Sequence, residues 1–332
     1  MTRIGINGMG RVGRTFLRIA ARSSDLEVVA VNDLVDITTL ARLIRRDSTF
    51  GPFPEDVEVA SDDTLLVAGH KVVVSGFAYP HEIPWGSHGV DVVVESTGRF
   101  RTRDLARGHL ESGARKVVIS APGKGVDATL VVGVNDTTYD PDRHHVVSNA
   151  SCTTNCVAPM VKVLHEAFGV ERGLMTTVHA YTNDQNLLDG PHQDTRRARA
   201  AAVNIIPTTT GAAKAVGAVL PEIAGRLDGV ALRVPVVDGS LVDLAVLVER
   251  HATTEEVNAA FQAAAASGPL AGILRYETEP LVSCDVIQDP ASCVLDAALT
   301  QATGRLVKVF GWYDNEWGYT SRLADLARLV AG

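Results

Sequence analysis

Short apolar, β-branched runs alternate with helical segments along the first half of the chain. The runs that predict strands are residues 3–7, 26–32, 90–96, 116–120 and 145–148. Residues 14–22 and 104–112 carry a helical pattern and lie between some of these runs. Such alternation predicts a parallel sheet, in which ligands bind at the carboxyl ends of the strands.

The pattern changes after residue 150. A helical stretch runs from about residue 151 to Phe168, and residues 176–182 and 231–235 are strand-like. Residues 321–331 form an amphipathic helix with leucines on one side. The chain has 332 residues, which is enough for two domains with separate cores.

A glycine-rich turn joins the first predicted strand to the first predicted helix. Gly8, Gly10 and Gly13 form the pattern GxGxxG inside a strand–turn–helix–strand unit of about thirty residues. The first glycine permits the tight turn, the second lets a pyrophosphate approach, and the third lets the helix pack closely. A turn that binds no ligand is the alternative, but the surrounding unit favours dinucleotide binding.

Three further residues of this unit concern the ligand. The backbone N–H groups of Arg11 and Val12 lie at the helix start, where they can bind phosphates. Asp33 follows the second strand, 20 residues after Gly13 (33 − 13). A carboxylate there accepts hydrogen bonds from a ribose and repels a 2′-phosphate, so the sequence favours NAD over NADP.

A cysteine and a histidine are candidates for covalent chemistry. Cys152 lies in the first turn of a predicted helix, where the helix dipole and unpaired N–H groups favour a thiolate. His179 lies in a strand-like run, and histidine commonly activates a thiol nucleophile. The structural alternatives are a buried apolar thiol for Cys152 and a surface or hydrogen-bonded core residue for His179.

Two segments suit anions. Residues 206–212 include Thr210 and Gly211 just before a helical stretch, and they offer hydroxyl and N–H groups. Arg233 is a single charge in a strand-like segment, where a carboxylate or a phosphate is the expected partner. Residues 196–199 (RRAR) form a basic cluster, for which a solvated loop or a subunit contact is the alternative to anion binding.

Composition narrows the classes of function. The net charge of −8 argues against nucleic acid or an anionic membrane surface as the main partner. No apolar run is long enough to cross a bilayer, and the N-terminus lacks the apolar stretch of a secretory signal. The four cysteines have neither zinc-like spacing nor the density of a disulfide framework, so we expect no metal and a reducing cytoplasm.

Several stretches together resemble phosphorylating glyceraldehyde-3-phosphate dehydrogenases of the glycolytic, NAD-dependent type. The matching stretches are GINGMGRVGR, VNDL, SNASCTTNC, TVHAYTNDQ, RRARAAAVNIIPTTTGAAKAVG, ALRVPV and WYDNEWGY. They span the chain, and the combination of SCTTNC with HAYTNDQ is highly specific. The resemblance implies an α/β fold, with a Rossmann-type parallel-sheet NAD domain and an α+β catalytic domain whose sheet is mostly antiparallel.

The resemblance also implies the reaction. It is the phosphorylating oxidation of D-glyceraldehyde 3-phosphate to 1,3-bisphosphoglycerate with NAD and inorganic phosphate, in glycolysis and gluconeogenesis. Cys152 would attack the aldehyde to form a hemithioacetal, and His179 would accept its proton. Hydride transfer to NAD would leave a thioester, which phosphate would attack.

Each remaining site residue acquires a role from the same resemblance. The cofactor-binding residues would be Arg11, Val12, Asp33, Ser120 and Asn315. The residues that bind the phosphate of the substrate or inorganic phosphate would be Ser151, Thr153, Thr182, Arg197, Thr210, Gly211 and Arg233. Of these, Thr182 and Arg233 would hold the substrate.

The resemblance further implies a cytoplasmic homotetramer. The NAD-binding domain would comprise residues 1–150 and 316–332, and the catalytic domain residues 151–315. A loop that begins near Tyr181 would reach the cofactor region of a neighbouring subunit. Pro191 in this loop is typical of the NAD-using members.

Three segments depart from the family pattern. Residues 77–80 (FAYP) stand where the family usually has Phe-x-Glu-Arg near the adenine, so its arginine has no counterpart there. Phe50 replaces a common histidine, and residues 236–240 (VVDGS) differ from the usual Pro-Thr-x-x-Ser. None of these changes removes a group that the chemistry needs.

Two alternative functions remain open from the sequence. One is a dehydrogenase of another phosphorylated aldehyde, such as erythrose 4-phosphate, in which water could replace phosphate in the attack on the thioester. The other is a non-catalytic protein that binds NAD or nucleic acid on this fold. That protein would not need Cys152 or His179.

Overall fold

The chain folds into two compact units. A computed structural model describes all 332 residues. Unit 1 contains residues 1–130, 137–150 and 320–332, and unit 2 contains residues 131–136 and 151–319. Residues 131–136 and 316–319, predicted from the sequence to belong to the NAD-binding domain, therefore cluster with unit 2.

Eight α-helices and nineteen strands make up the regular structure. The helices are α1 (Arg11–Ala20), α2 (Ile37–Arg45), α3 (Arg103–Ala106), α4 (Gly108–Glu111), α5 (Cys152–Phe168), α6 (Ala212–Val219), α7 (Thr254–Ala266) and α8 (Trp317–Ala331). The strands of unit 1 are β1 (Thr2–Asn7), β2 (Leu26–Asn32), β3 (Arg46–Asp47), β4 (Gly51–Pro52), β5 (Val57–Ser61), β6 (Thr64–Val67), β7 (His70–Ser75), β8 (Val92–Glu95), β9 (Lys116–Ile119), β10 (Ala128–Thr129) and β11 (Val146–Ser148). The strands of unit 2 are β12 (Val170–Ala180), β13 (Ile206–Thr209), β14 (Leu227–Val234), β15 (Ser240–Val248), β16 (Leu274–Glu277), β17 (Cys293–Asp296), β18 (Gln301–Thr303) and β19 (Leu306–Tyr313).

The main sheet of unit 1 is mostly parallel, as the sequence predicts. Its nine strands have the order β10-β11-β9-β8-β1-β2-β7-β6-β5. All neighbours from β10 to β7 are parallel, whereas β5, β6 and β7 form an antiparallel meander at one edge. All four residues of β8 are buried, because the centre of a parallel sheet is covered on both faces.

The turn between β1 and α1 explains two of the three glycines. Gly8 has a φ of +93°, a conformation that favours glycine. A Cβ atom on Gly13 would lie 2.1 Å from the carbonyl oxygen of Gly8, so only glycine fits this approach of helix and strand. A Cβ atom on Gly10 would meet no atom within 4 Å, which leaves open space beside the helix start.

The sheet of unit 2 is mixed and largely antiparallel, which confirms the predicted fold class. Its strands have the order β13-β14-β12-β15-β19-β17-β16, and β18 pairs with β19. Only the pairs β12–β14 and β16–β17 are parallel. Helix α5 packs against this sheet, and most of its 17 residues are buried. Its bounds agree with the helical stretch predicted to end at Phe168.

Two kinds of structure, a membrane-spanning helix and a cluster of metal ligands, are not found in this chain. No helix combines the length and the hydropathy that crossing a bilayer requires. No group of three or more histidine, cysteine, aspartate or glutamate side chains is arranged to hold a metal ion.

We expect Gly13→Ala to lower the free energy of unfolding by about 1–3 kcal/mol, since its Cβ would overlap the Gly8 carbonyl group and the turn would have to shift. Gly10→Ala is the matched control, and we expect a smaller loss because its Cβ enters open space. Denaturant titrations of both variants measure the effect. Equal losses would contradict the close packing of this turn.

Candidate active site

Cys152 is the first residue of α5, and the start of this helix is capped by its neighbour. The side-chain oxygen of Ser151 accepts a hydrogen bond from the backbone N–H of Thr154 at 3.0 Å. A serine in this position satisfies one of the free N–H groups of the first turn. The cap therefore fixes where α5 begins and, with it, where the Cys152 side chain lies.

His179 lies at the end of β12 and contacts this thiol. Its Nε2 is 3.4 Å from the Sγ of Cys152. Its Nδ1 is 2.7 Å from the carbonyl oxygen of Ala180. When Nδ1 donates a proton to that oxygen, Nε2 is left as an acceptor for the thiol proton. The structure thus brings together the two residues that the sequence named as nucleophile and base.

The electrostatics of this pair differ from the expectation for a helix start. Burial raises the pKa of the Cys152 thiol, although the charge of Arg233 acts in the opposite direction. Burial, and secondly Arg233, lowers the pKa of His179 to about 3. The expected preference for a thiolate is therefore wrong for this arrangement, which favours a neutral thiol beside a neutral imidazole.

Arg233 lies beside His179 because β12 and β14 are parallel neighbours. The register pairs His179 with Arg233, and Nη1 of the arginine donates to the Ala180 carbonyl oxygen at 3.0 Å. The same nitrogen lies 2.5 Å from Nδ1 of His179, and since both groups are N–H donors in the tautomer described above, the Ala180 carbonyl oxygen is the acceptor that they share. The Nε of Arg233 is buried and has no hydrogen-bond partner, which leaves a charged donor available to an anion.

Three other residues predicted to bind phosphate are Thr153, Thr182 and Arg197. The hydroxyl of Thr153 is buried and bonds to the hydroxyl of Tyr313 at 2.9 Å. Asp184 accepts from the hydroxyl of Thr182 and forms an ion pair with Arg197. Arg197 also donates to the hydroxyl of Thr208 at 3.0 Å, so each of these three predicted residues has a partner within the chain.

Thr210 and Gly211 precede α6, as predicted. The hydroxyl of Thr210 accepts from the N–H of Ala212 at 3.2 Å, and Gly211 is the residue before the helix. No hydrogen bond joins either residue to Cys152 or His179.

Tyr313 is a site residue that the sequence analysis missed. Its hydroxyl lies 2.9 Å from the hydroxyls of both Thr153 and Thr177, and its ring meets the His179 ring edge-on at 5.9 Å. The alternation of buried and half-buried positions along β19 places Tyr313 on the buried face. The sequence offered two signals for this residue. One is the alternation along the strand, and the other is the motif WYDNEWGY, in which Tyr313 immediately precedes Asp314 and Asn315.

Asn315 is held close to the end of β12 through Ser240. The hydroxyl of Ser240 donates to Oδ1 of Asn315 at 2.6 Å and accepts from the N–H of Ala180 at 3.1 Å. Asn315 is buried, and its side chain has a fixed orientation as a result.

A cavity in unit 1 lies at the carboxyl ends of β1, β2 and β8. Its volume is about 250 Å³, and its lining includes Gly8, Gly10, Asp33 and Thr97. The carboxylate of Asp33 accepts from the backbone N–H groups of Met9 at 2.6 Å and Val35 at 3.1 Å. The open space at Gly10 and the oriented carboxylate fit a dinucleotide.

Arg11, Val12 and Ser120 are the other residues of unit 1 that are predicted to bind the cofactor, and they also follow strands of the parallel sheet. Arg11 and Val12 form the first turn of α1, and the Arg11 guanidinium is ion-paired with Asp47. Ser120 follows β9, where its N–H donates to the carbonyl oxygen of Glu95. The backbone N–H groups of Arg11 and Val12, rather than the Arg11 side chain, are therefore the groups that suit a phosphate.

Two sequence families cover most of the chain. The family described as glyceraldehyde 3-phosphate dehydrogenase, C-terminal domain, matches residues 151–315, and the corresponding NAD binding domain matches residues 2–103. The chain belongs to the glyceraldehyde-3-phosphate dehydrogenase family. This confirms the resemblance stated from the motifs, the NAD-dependent enzyme class and the predicted phosphorylating oxidation of glyceraldehyde 3-phosphate.

Similar proteins of this family come from several bacteria. Glyceraldehyde-3-phosphate dehydrogenase 2 of Streptomyces arenae is 58% identical over 329 residues, which cover 99% of this chain and 98% of the relative. The Geobacillus stearothermophilus dehydrogenase is 56% identical over 330 residues, and the Mycolicibacterium smegmatis dehydrogenase is 54% identical over 338 residues. Both alignments cover 99% of this chain and 98% of the relative.

The low pKa of His179 predicts acid sensitivity. Its folded-state pKa of about 3 lies below the ordinary value of 6.5, so unfolding takes up a proton below pH 6.5. The contribution of this residue to stability is present above that pH and is lost as the pH falls toward 3. The loss approaches about 1.4 kcal/mol per pH unit below the unfolded-state value.

We expect His179→Gln to lose stability less steeply than the unchanged protein between about pH 6 and pH 4, because glutamine does not titrate. Denaturant titrations at several pH values measure these slopes. His70→Gln, a change at an exposed histidine, is the control and should follow the unchanged protein. Identical slopes for all three proteins would contradict a buried, neutral His179.

Proposed function

We propose that Cys152 and His179 carry out the oxidation of glyceraldehyde 3-phosphate as nucleophile and base. The contact of 3.4 Å between Sγ and Nε2 is the observation that carries this proposal. A thiol within reach of an imidazole, whose other nitrogen is oriented by a carbonyl oxygen, is the arrangement that activated cysteines require.

The reaction begins from the neutral pair. Nε2 of His179 takes the thiol proton as Sγ of Cys152 bonds to the aldehyde carbon. The proton then passes to the former carbonyl oxygen, which gives a neutral hemithioacetal. The backbone N–H of Cys152 at the start of α5 stabilises the negative charge that develops on this oxygen.

Oxidation leaves the acyl group on sulfur. His179 takes the hydroxyl proton of the hemithioacetal as the carbon–oxygen double bond forms and hydride leaves the carbon. When bound, NAD supplies the acceptor for this hydride. A phosphate oxygen then attacks the thioester carbon, and the carbon–sulfur bond breaks to release 1,3-bisphosphoglycerate. The Cys152 thiolate recovers its proton from His179.

Arg233 and Thr182 are the proposed ligands of the substrate phosphate. The buried Nε of Arg233 has no partner in the chain, so an anion near it gains a charge-assisted hydrogen bond. We assign inorganic phosphate to Ser151, Thr153, Thr210, Gly211 and Arg197. For Thr153 and Arg197 this requires the bonds to Tyr313 and Asp184 to be shared or exchanged.

We propose five residues as ligands of the cofactor. The N–H groups of Arg11 and Val12 bind the pyrophosphate, Asp33 binds the adenosine ribose, and Ser120 contacts the cofactor. Asn315 binds the nicotinamide carboxamide. Accordingly, residues 1–150 and 316–332 serve NAD binding, and residues 151–315 serve catalysis.

The assembly proposed for the chain is a cytoplasmic homotetramer, with neither nucleic acid nor a membrane as main partner. Four large apolar side chains are exposed in the loop that follows Tyr181. They are Leu187, Leu188, Val203 and Ile205, at 78%, 75%, 76% and 66% exposure. Exposed apolar side chains concentrated in one loop favour a contact with another subunit.

The covalent step is tested with Cys152→Ser, which replaces the thiol by a much weaker nucleophile. We expect turnover to fall by about 10³-fold or more, while calorimetry shows NAD affinity within about threefold of the unchanged protein. Cys284→Ser, a change at an exposed free thiol, is the matched control and should retain full activity. Full turnover by Cys152→Ser would refute the mechanism.

The tetramer is tested by sedimentation equilibrium of the unchanged protein. We expect one species of four chains, because the exposed leucines would then be covered by a neighbouring subunit. Leu187→Asp together with Leu188→Asp should shift the equilibrium to smaller species. A monomer at micromolar concentration would contradict the proposed assembly.

A further inference from the structure

Two buried carboxyl groups lie in contact near the end of β19. Asp238 is in the turn that precedes β15, and Asp314 directly follows β19. Their exposed fractions are 0% and 1%. The antiparallel register of β15 and β19 pairs Ser240 with Tyr313, so the residues just before β15 and just after β19 lie side by side. Two ionised carboxylates that are buried side by side repel each other without the screening of water, so one of them keeps a proton.

The hydrogen-bond partners indicate which carboxyl group is the acid. Asp314 accepts three backbone N–H groups, from Gln288 at 2.7 Å, Glu316 at 2.8 Å and Trp317 at 2.6 Å. Asp238 accepts only one, from the adjacent Gly239 at 2.9 Å. Its Oδ2 is buried and has no hydrogen-bond partner, so this oxygen is the one that can carry the proton. The proton therefore resides on Asp238, and Asp314 is the carboxylate that accepts it.

The surroundings do not supply a compensating cation. The titratable and charged side chains on the elements packed against the pair are Glu316, Asp285, Cys284, Asp289, Arg275, Tyr313 and Tyr181. Of the cations on these segments and on α8, Arg275 is paired with Asp289 at 3.1 Å and Arg322 is paired with Asp325 at 2.6 Å. Burial, followed by the charges of Asp314 and Glu316, raises the pKa of Asp238 to about 9.

The pair joins the same two segments as the hydrogen bond that orients Asn315. Ser240, two residues after Asp238, donates to Asn315 at 2.6 Å, and Asn315 is next to Asp314. Gly239 lies so close to another segment that a Cβ atom would be 2.2 Å from the Ser283 carbonyl oxygen. The turn therefore has little freedom to absorb a repulsion between the two carboxyl groups.

We propose that Asp238 is a positioning residue for NAD, which in its protonated form donates to Asp314 and so keeps Asn315 in place through Ser240. The proposal rests on the nicotinamide contact proposed for Asn315. When Asp238 releases its proton to solvent, two buried carboxylates face each other and the segments separate. Asn315 then loses its orientation.

The expected result is a loss of NAD affinity at alkaline pH. If only the protonated pair binds well, NAD affinity of the unchanged protein falls about tenfold between about pH 8 and pH 10. Asp238→Asn keeps a donor for Asp314 but cannot lose a proton, so its affinity should change less than about twofold. Asp238→Ala lacks the donor and should bind NAD more weakly at both pH values.

Isothermal calorimetry of the full-length protein with NAD measures these affinities without relying on turnover. Asp62→Asn, the same substitution at an exposed position of unit 1, is the control and should follow the unchanged protein. The proposal fails if Asp238→Asn loses affinity as steeply as the unchanged protein, or if the unchanged protein loses none.

A second measurement distinguishes a failure of this proposal from a failure of the NAD contact proposed for Asn315. The raised pKa of Asp238 means that its favourable contribution to stability is complete below its ordinary value of 3.8 and declines until about pH 9. Without NAD, the melting temperature should therefore fall more between about pH 6 and pH 9 in the unchanged protein than in Asp238→Asn. Equal falls would refute the shared proton. Absence of NAD binding at any pH would instead refute the role of Asn315.

Discussion

The contact between Cys152 and His179 depends on two features of unit 2. The Ser151 cap fixes the start of α5, and β12 ends at the residue after His179. The packing of α5 against the sheet then sets the distance of 3.4 Å between sulfur and nitrogen. Burial raises the pKa of the thiol and lowers the pKa of the imidazole, so the arrangement favours neutral groups.

The polar side chains around Cys152 and His179 form most of their hydrogen bonds with one another. Tyr313 bonds to two threonine hydroxyls, and Ser240 links the N–H of Ala180 to Asn315. Each bond joins segments that are distant in the chain, so each restricts a side chain and a backbone at once. The Nε of Arg233 and the Oδ2 of Asp238 differ from these groups, because both are buried without a hydrogen-bond partner. The first suits an anion, and the second suits a proton.

The same principle operates at the strand ends of unit 1. The amide of Asn7 donates to Glu95 at 2.6 Å and accepts from Asn32 at 2.9 Å, while Glu95 also contacts His109 at 3.0 Å. These buried groups hold the ends of β1, β2 and β8 in register beside the cavity that Asp33 lines. A rigid polar network of this kind presents backbone N–H groups to a ligand without a cost of reorganisation at binding.

Local patterns were sufficient to determine the turn at Gly8 and Gly13, the start of α5 and the central strands of unit 1, because neighbours in sequence dictate these features. The role of Tyr313 escaped prediction because it depends on partners that are distant in sequence. The meander of β5 to β7 was also not predicted, although its hairpins join neighbouring segments. The ionisation state of Cys152 illustrates the limit best. A helix start by itself favours the thiolate, but burial, which only the tertiary structure decides, raises the pKa of the thiol. The Asp238–Asp314 pair has the same origin, because its shared proton requires two carboxyl groups from separate segments to be enclosed together.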